Sequence, residues 1–202
     1  MLQAAHRVTD TPILGVNSDP ARSEAVFCAA TRQTFPRLLR RALEKRLGAL
    51  RLCRLEVRLN GRPLQERVVN DVLIAHDDPA TMSRYRLRIG TRRELQKSSG
   101  LWVSTAAGSS SAALAAGGVR LPWSARRFQY RPRELYRGRL SRNRLAGGVL
   151  SPATPVHVTW LMRRGSAFID GSHLRIPLRF ADELAIRLAI AHPVRVLGLS
   201  RR

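Results

Sequence analysis

Cysteine is almost missing from this chain. Cys28 and Cys53 stand alone, far apart, with no Cys-x-x-Cys pair. They read as free thiols in a reducing compartment, and a disulfide framework or a zinc cluster is excluded. Aromatic residues make up only 5% of the sequence, and no run of them suits the stacking platform of an RNA-binding sheet. No apolar run approaches the roughly 20 residues a membrane-spanning helix needs. The opening residues lack the basic segment and apolar stretch of a secretory leader. His6, His76, His157, His173 and His192 fall at no metal-ligand spacing, so each reads as a surface or satisfied core residue. Neither a Ser-His-Asp order nor a Gly-x-Gly-x-x-Gly dinucleotide loop is present.

Lysine is also scarce, yet the chain is strongly basic. Against 14 acidic residues it carries 36 of Lys and Arg, a net charge of +22, and only Lys45 and Lys97 are lysine. Such a balance suits a surface that binds phosphate backbones by counterion release. It equally suits a solvated arginine face on a protein that handles polyanionic nucleotides, because the arginines are spread along the whole chain. At 202 residues, 44% hydrophobic and 25% charged, the polypeptide can bury a core as one large or two small domains.

Periodicity divides the chain. Residues 1–8 have helix-forming character, and 11–17 read as a short strand closed by the turn residues Ser18-Asp19-Pro20. From Thr34 to Gly48, Leu38, Leu39, Ala42, Leu43 and Leu47 recur at helical spacing between basic residues. That pattern fits a helix with one face in the core, or one lying on a membrane. From Leu50 the period becomes two. Cys53, Leu55, Val57 and Leu59 alternate with Arg54, Glu56 and Arg58, predicting a half-buried strand with the charged residues outward. Asn60-Gly61 predicts a hairpin, and a return strand spans about 66–75, interrupted at Asn70-Asp71. Further strands are expected at 83–90, 156–160, 167–169, 182–190 and 194–199, with a tight turn at Asp170-Gly171. Residues 122–148 read as mostly loop, with a basic cluster at Arg137, Arg139, Arg142 and Arg144.

The stretch from Lys97 to Gly118 organises the rest. Leu101, Trp102 and Val103 form a short buried strand, and Ala107-Gly108 allow a tight turn. Ser109, Ser110 and Ser111 offer N-caps to an alanine-rich helix that Gly117-Gly118 end. A strand, a small-residue turn and a helix start of this kind can present bare amides to anions and sugar hydroxyls. It can also be an ordinary βα turn.

The order of residues in this stretch resembles the NAD kinase family, whose Ser-Thr-Pro-Thr-Gly-Ser-Thr-Ala-Tyr run ends in Ala-Gly-Gly. It stands here as Ser104-Thr105-Ala106-Ala107-Gly108-Ser109-Ser110-Ser111-Ala112 and ends at Ala116-Gly117-Gly118. Ser98-Ser99-Gly100-Leu101, with Ser99 for the usual Asp, is most similar to the plant-type NADH kinase branch. So are Pro12-Ile13-Leu14-Gly15-Val16-Asn17-Ser18-Asp19-Pro20 and Cys28-Ala29-Ala30-Thr31. Ala112 replaces the usual Tyr. Leu2-Gln3-Ala4-Ala5 resembles the helix that follows a Gly-Gly-Asp-Gly-Thr loop in the family, and that loop does not stand among these 202 residues. The resemblance therefore makes Met1 an internal methionine or the start of a truncated gene model.

The resemblance implies an α+β fold: a partial N-terminal α/β (Rossmann-like) remnant over residues 1–48, a β-rich sandwich of the NAD kinase type over 49–186 that binds the dinucleotide, and a last strand, 187–202, packing back on the remnant. It implies transfer of a phosphoryl group from ATP, with Mg2+, to the adenosine ribose 2′-hydroxyl of NAD(H), giving NADP(H). Asn70 and Asp71 stand where the family's Asn-Glu pair holds the ribose diol, and an amide beside a carboxylate both donates and accepts, as a diol requires. Gly108, Ser109, Ser110, Ser111 and Ala112 would line the adenosine pocket. No catalytic base and no metal ligand is assigned within the chain, since the family's base lies in the Gly-Gly-Asp-Gly-Thr loop, so residues 1–202 alone are expected to bind NAD(H) and transfer phosphate poorly or not at all. The expected partners are small-molecule nucleotides and a second copy in a homodimer, with neither membrane nor nucleic acid. The expected compartment is cytoplasmic, a peroxisome or another organelle being the alternative; Ser200-Arg201-Arg202 begins like a peroxisomal tripeptide but lacks its final apolar residue. The rival readings are a binding-only pseudo-kinase of the same fold and a basic RNA-associated β protein.

Overall fold

A computed structural model of the chain describes residues 1–139 and 141–199. The tripeptide Ser200-Arg201-Arg202 lies outside the described residues. The chain begins with helix α1 (Leu2–Arg7), strands β1 (Val16–Asn17) and β2 (Ala30–Thr31), and helix α2 (Phe35–Leu43). There follow β3 (Ala49–Leu59), β4 (Arg62–Pro63), β5 (Asp71–Ala75), β6 (Ser83–Ile89), β7 (Arg92–Ser98) and β8 (Gly100–Thr105). A 3-10 turn (Ala107–Ser110) and the four-residue α3 (Ala112–Ala115) lead to β9 (Phe128–Arg133), β10 (Gly148–Leu150), β11 (Val156–Trp160), β12 (Ser166–Ile169), β13 (Leu174–Pro177) and β14 (Glu183–Leu197).

The fold is α+β with strands predominating. Two antiparallel six-stranded sheets, ordered β10-β9-β8-β5-β12-β13 and β4-β3-β14-β11-β6-β7, face each other. Their inner faces share one core that includes Leu55, Val57, Val72, Ile74, Leu101, Val103, Trp160 and Ile186. Strand β6 illustrates the arrangement: Ser83, Tyr85 and Leu87 are buried while Arg84, Arg86 and Arg88 are exposed, as a period of two demands when one face of a sheet meets water. A second apolar cluster joins Ala5 and Phe27 to Leu50, Leu52, Val69, Ala107, Trp123, Val194 and Val196.

Strand β3 departs from the alternation read in its sequence. Arg54, expected on the solvent face with Glu56 and Arg58, is 1% exposed. The period does not change; the covering does. Leu50, Leu52 and Arg54 project from the same face of the strand and are covered by the N-terminal segment, while Leu55 and Val57 project from the other face into the sandwich. Backbone carbonyls of Ala5 and Val8 accept hydrogen bonds from the Arg54 guanidinium at 2.8 and 2.9 Å.

Other expectations shift for local reasons. Helix α2 stops at Leu43, where Lys45 takes a positive φ of 56°, and no residue of it is buried. Its apolar stripe thus does not enter the core. The stretch 122–148, read as mostly loop, contains β9, whose ladder with β8 runs unbroken through Pro132, opposite Leu101. Residues 11–17 give only an isolated bridge from Ile13 to Val196 and the short β1. The two last expected strands are one, β14, with an irregularity between Ala189 and Val194 and no break at position 186. Asn60-Gly61 forms its hairpin turn, with φ values of 50° and 79°.

Burial sets the expected energetics. Replacing Leu55, fully buried between the sheets, by alanine should lower stability by about 2–5 kcal/mol in urea denaturation. Leu95→Ala, at a side chain 67% exposed, should change it by less than about 0.5 kcal/mol.

Candidate functional site

The segment 66–75 does not form one strand, because it changes sheets. Leu55 and Val68 exchange both backbone hydrogen bonds, at 2.8 and 3.0 Å, which ties Val68 to the sheet containing β3. Three residues later Asp71 pairs with Ser104 in the other sheet. Across this passage the amides of Val69, Asn70 and Asp71 lose ladder partners, and buried amides need replacements. Asp170 supplies all three. Its Oδ1 accepts from Asn70 N at 2.6 Å and Asp71 N at 3.1 Å, and its Oδ2 accepts from Val69 N at 2.9 Å. The same Oδ2 receives the His6 ring through Nε2 at 2.7 Å, so that nitrogen carries the proton toward the carboxylate. In return Asp170 N donates to the Asp71 carbonyl at 2.9 Å. Asp170 stands at the turn after β12 with a φ of 50°, a left-handed conformation that Asp tolerates better than most residues.

The pair read as diol-binding therefore sits where the chain crosses between the sheets. Asp71 is 6% exposed, and its carboxyl makes no hydrogen bond among the described residues. Burial, and then the neighbouring Asp170 carboxylate, push its pKa up to about 7. Near neutral pH it exists in both protonation states and can therefore donate as well as accept. The Oδ1 of Asn70 is sealed from solvent and has no hydrogen-bond partner among the described residues, an acceptor whose burial is costly until something donates to it.

The second element reaches this pair directly. A Cβ added at Gly108 would lie 2.3 Å from the Asn70 carbonyl oxygen, so only glycine allows the turn to rest on that backbone. Thr105 clamps the contact: its N donates to Asn70 O at 2.8 Å, its hydroxyl donates to Val69 O, and that hydroxyl accepts Gly108 N at 3.1 Å. Beyond Gly108 the read residues diverge. Ser109 is fully buried, its hydroxyl donating to Ala106 O at 2.7 Å and accepting from Leu121 N at 2.8 Å. Ser110 lines a cavity of about 360 Å3 with Glu24, Val26, Arg120 and Trp123. Ser111 is exposed, its hydroxyl returning to Gly108 O at 3.2 Å. Ala112 faces a different hollow, beside Trp102 and Arg133.

The expected helix with free leading amides is corrected. The structure has a 3-10 turn followed by a single helical turn, and the amides of Gly108, Ser109 and Ser111 bond to Thr105 Oγ1, Ala106 O and Gly108 O. Small residues here serve close packing on Asn70. Among the described residues no group of three His, Cys, Asp or Glu side chains is arranged to hold a metal ion. Sequence reasoning missed Asp170, His6 and Thr105. Each acts through a partner about 36 to 164 positions away, a distance over which no local pattern operates; the Asp170-Gly171 turn signal marked the place without revealing the carboxylate's targets.

Asp71 makes a stability prediction. A carboxyl whose folded pKa lies above its unfolded value of 3.8 binds its proton more tightly when folded, so stability falls as pH rises through the window from about 4 to about 7 and levels off above it. Urea denaturation across that window should show this fall in the native chain and a shallower one in Asp71→Asn. Equal slopes would show that the carboxyl ionises freely.

No protein-family model matches the chain. Two plant proteins do. A protein of Oryza sativa subsp. japonica described as "Probable NADH kinase" is 34% identical over 208 aligned positions, covering 92% of this chain and 64% of its own length. The NADH kinase of Arabidopsis thaliana is 31% identical over 210, covering 92% of this chain and 66% of its own. The chain thus spans just under two thirds of the length of these relatives. Among solved structures, yeast NADH kinase complexed with NADH superposes with a TM-score of 0.81 at 14% identity, over 98% of this chain and 58% of the yeast chain. An NAD kinase from Archaeoglobus fulgidus in complex with ATP gives 0.74 at 20% identity, over 96% and 72%. These two establish the shared fold. Over most of its own length the chain is similar in sequence to these plant proteins named NADH kinase, and it shares the fold of the yeast NADH kinase and the archaeal NAD kinase.

Proposed function

We propose that this chain provides the dinucleotide side of an NAD(H) kinase, an enzyme that transfers the γ-phosphoryl group of ATP to the adenosine ribose 2′-hydroxyl. The observation that carries the reading is the buried Asn70–Asp71 pair: an amide oxygen without a donor and a carboxyl tuned to about pH 7, held against the Gly108 turn. A vicinal diol matches both groups, donating to the amide oxygen and exchanging hydrogen bonds with the carboxyl in either protonation state. The names of the plant relatives, and the NADH and ATP bound to the two solved neighbours, support the same ligands here.

In the transfer a bond forms between the ribose oxygen and the γ-phosphorus, and the bond from that phosphorus to the β,γ-bridging oxygen breaks. ADP departs with the bridging oxygen, and the hydroxyl proton passes to a base. Such chemistry depends chiefly on positioning and charge neutralisation, and Asn70 and Asp71 contribute the first by fixing the acceptor ribose. Mg2+ would contribute the second, and among the described residues no cluster of His, Cys, Asp or Glu side chains is arranged to hold it. The Gly-Gly-Asp-Gly-Thr run that carries the base in the family does not stand in these 202 residues, so we expect them to bind NAD(H) and to form little NADP(H). A homodimer is the expected assembly, supported by the exposed Leu95, Tyr136 and Phe180 around one surface hollow. Among the described residues no helix is long and apolar enough to cross a membrane. The two free thiols, Cys28 and Cys53, are compatible with a reducing, cytoplasmic setting.

NADH fluorescence titration of the 202-residue chain should reveal saturable binding that Asn70→Ala weakens by about tenfold, the worth of one well-placed buried hydrogen bond. Binding that is absent, or indifferent to Asn70, would refute the assignment of the ribose pair.

A further inference from the structure

The dinucleotide reading leaves the net charge of +22 unexplained, because Asn70, Asp71 and Gly108 are not basic. The arginines are spread along the sequence, but the fold gathers several of them on the outer face of the sheet that contains β6, β7 and β11. Residues directly opposite each other on paired antiparallel strands share a face. Arg88 stands opposite Arg93, and Arg84 opposite Lys97. On the other side of β6, His157 adjoins Arg88 and Thr159 adjoins Arg86. Arg84, Arg86, Arg88 and Arg93 are all exposed.

Two features set this face apart from an ordinary solvated one. Both of the β6–β7 pairs, Arg88 with Arg93 and Arg84 with Lys97, join like charges directly opposite each other, which is destabilising. None of the four arginines has an ion pair among the described residues. Elsewhere on the same sheet charge is neutralised: Arg58 and Arg187, on β3 and β14, hold Glu56 at 3.1 and 3.0 Å. Arg86, Arg88, Arg93, His157 and Thr159 line a hollow of about 190 Å3, with Glu183 as its acid. Burial, and then the Arg88 charge, lower the pKa of His157, with Glu183 opposing. Guanidiniums therefore carry the positive charge of the hollow at neutral pH.

The spacing of these charges fits a phosphate backbone. Three arginines at alternate positions of β6 recur about every 7 Å, a row of about 14 Å. Each strand of a duplex bears a phosphate about every 3.4 Å of helix axis, so about four lie along such a row. Guanidinium forks match phosphate oxygens. The outward positions of β6, β7 and β11 carry no aromatic side chain, so they offer no stacking platform of the kind single strands use. A duplex has its bases already stacked and needs only backbone contacts. Leu95 is the one large apolar side chain among these positions, too little for the apolar centre of a protein interface or for insertion into a bilayer. A second copy of the chain would set cation against cation at Arg88 and Arg93.

We propose that the outer face of β6, β7 and β11 docks the phosphate backbone of double-stranded nucleic acid without reading its sequence. This departs from the expectation of a chain with no nucleic-acid partner, and it does not rest on the kinase reading. A fluorescent DNA duplex of about 20 base pairs, long enough to span the face, is titrated by anisotropy at several salt concentrations. The native chain is compared with two double variants. Arg88→Gln with Arg93→Gln alters the sheet; Arg37→Gln with Arg40→Gln removes the same charge from exposed positions of α2. The sheet positions are exposed and their replacement relieves a like-charge pair, so the fold is kept. For the native chain, log affinity should fall with log salt at a slope of about −4, as four to five phosphate contacts give. The sheet variant should lose about two from that slope and bind about tenfold more weakly near 0.1 M salt. The α2 variant should stay within about twofold, and NADH binding should be the same in all three. Native chain that ignores the duplex at low salt, or equal weakening by both variants, would overturn the proposal. So would tighter binding of the separated single strand, or of phosphatidylserine vesicles, than of the duplex. Loss of NADH binding in the sheet variant would also overturn it, by making the face part of the dinucleotide site.

Discussion

One carboxylate holds the centre of this molecule together. The two sheets are joined where the chain passes from one to the other at Val69–Asn70, and that passage leaves three successive amides without a ladder. Asp170 accepts all three and also the His6 ring. It therefore fixes the start of β5, the turn after β12 and helix α1 with a single side chain. Without it three amides would be buried without acceptors, each at a cost of about 1–3 kcal/mol, and the Asn70–Asp71 pair would have no fixed position.

The same economy explains why Asp71 is unusual. Asp71 is 6% exposed, so little water reaches its carboxyl, and the nearest fixed negative charge is Asp170 itself. Both effects favour the protonated form. The fold tolerates this beside an amide oxygen left without a donor, and two incompletely satisfied groups side by side are what a polar ligand would complete. Gly108 brings the organising stretch to that place by contact with the Asn70 backbone.

Much of the architecture was legible because period-two patterns survive in the sequence. Strands β6 and β11 stand where alternation predicted them, and Asn60-Gly61 turns as its chemistry requires. The proximity of Asn70 to Gly108 was expected from the family motifs, yet its mechanism, a sheet crossover clamped by Thr105, was not visible in either segment alone. Arg54 was misread because alternation reports which residues share a face, and says nothing about whether a distant segment covers that face. The serine triplet was misread for a related reason: good capping residues predict a helix start, but contact with Asn70 and Leu121 drew Gly108 and Ser109 inward and left only one helical turn. His6 and Asp170 were unreadable as a pair, 164 positions apart.

The passage of the backbone between layers at Val69–Asn70 has a mechanical corollary. The residues that would grip a sugar are also the seam of the sandwich, so a guest seated there would tether one layer to the other. Occupancy of so small a spot would then be felt as stiffness throughout the β scaffold.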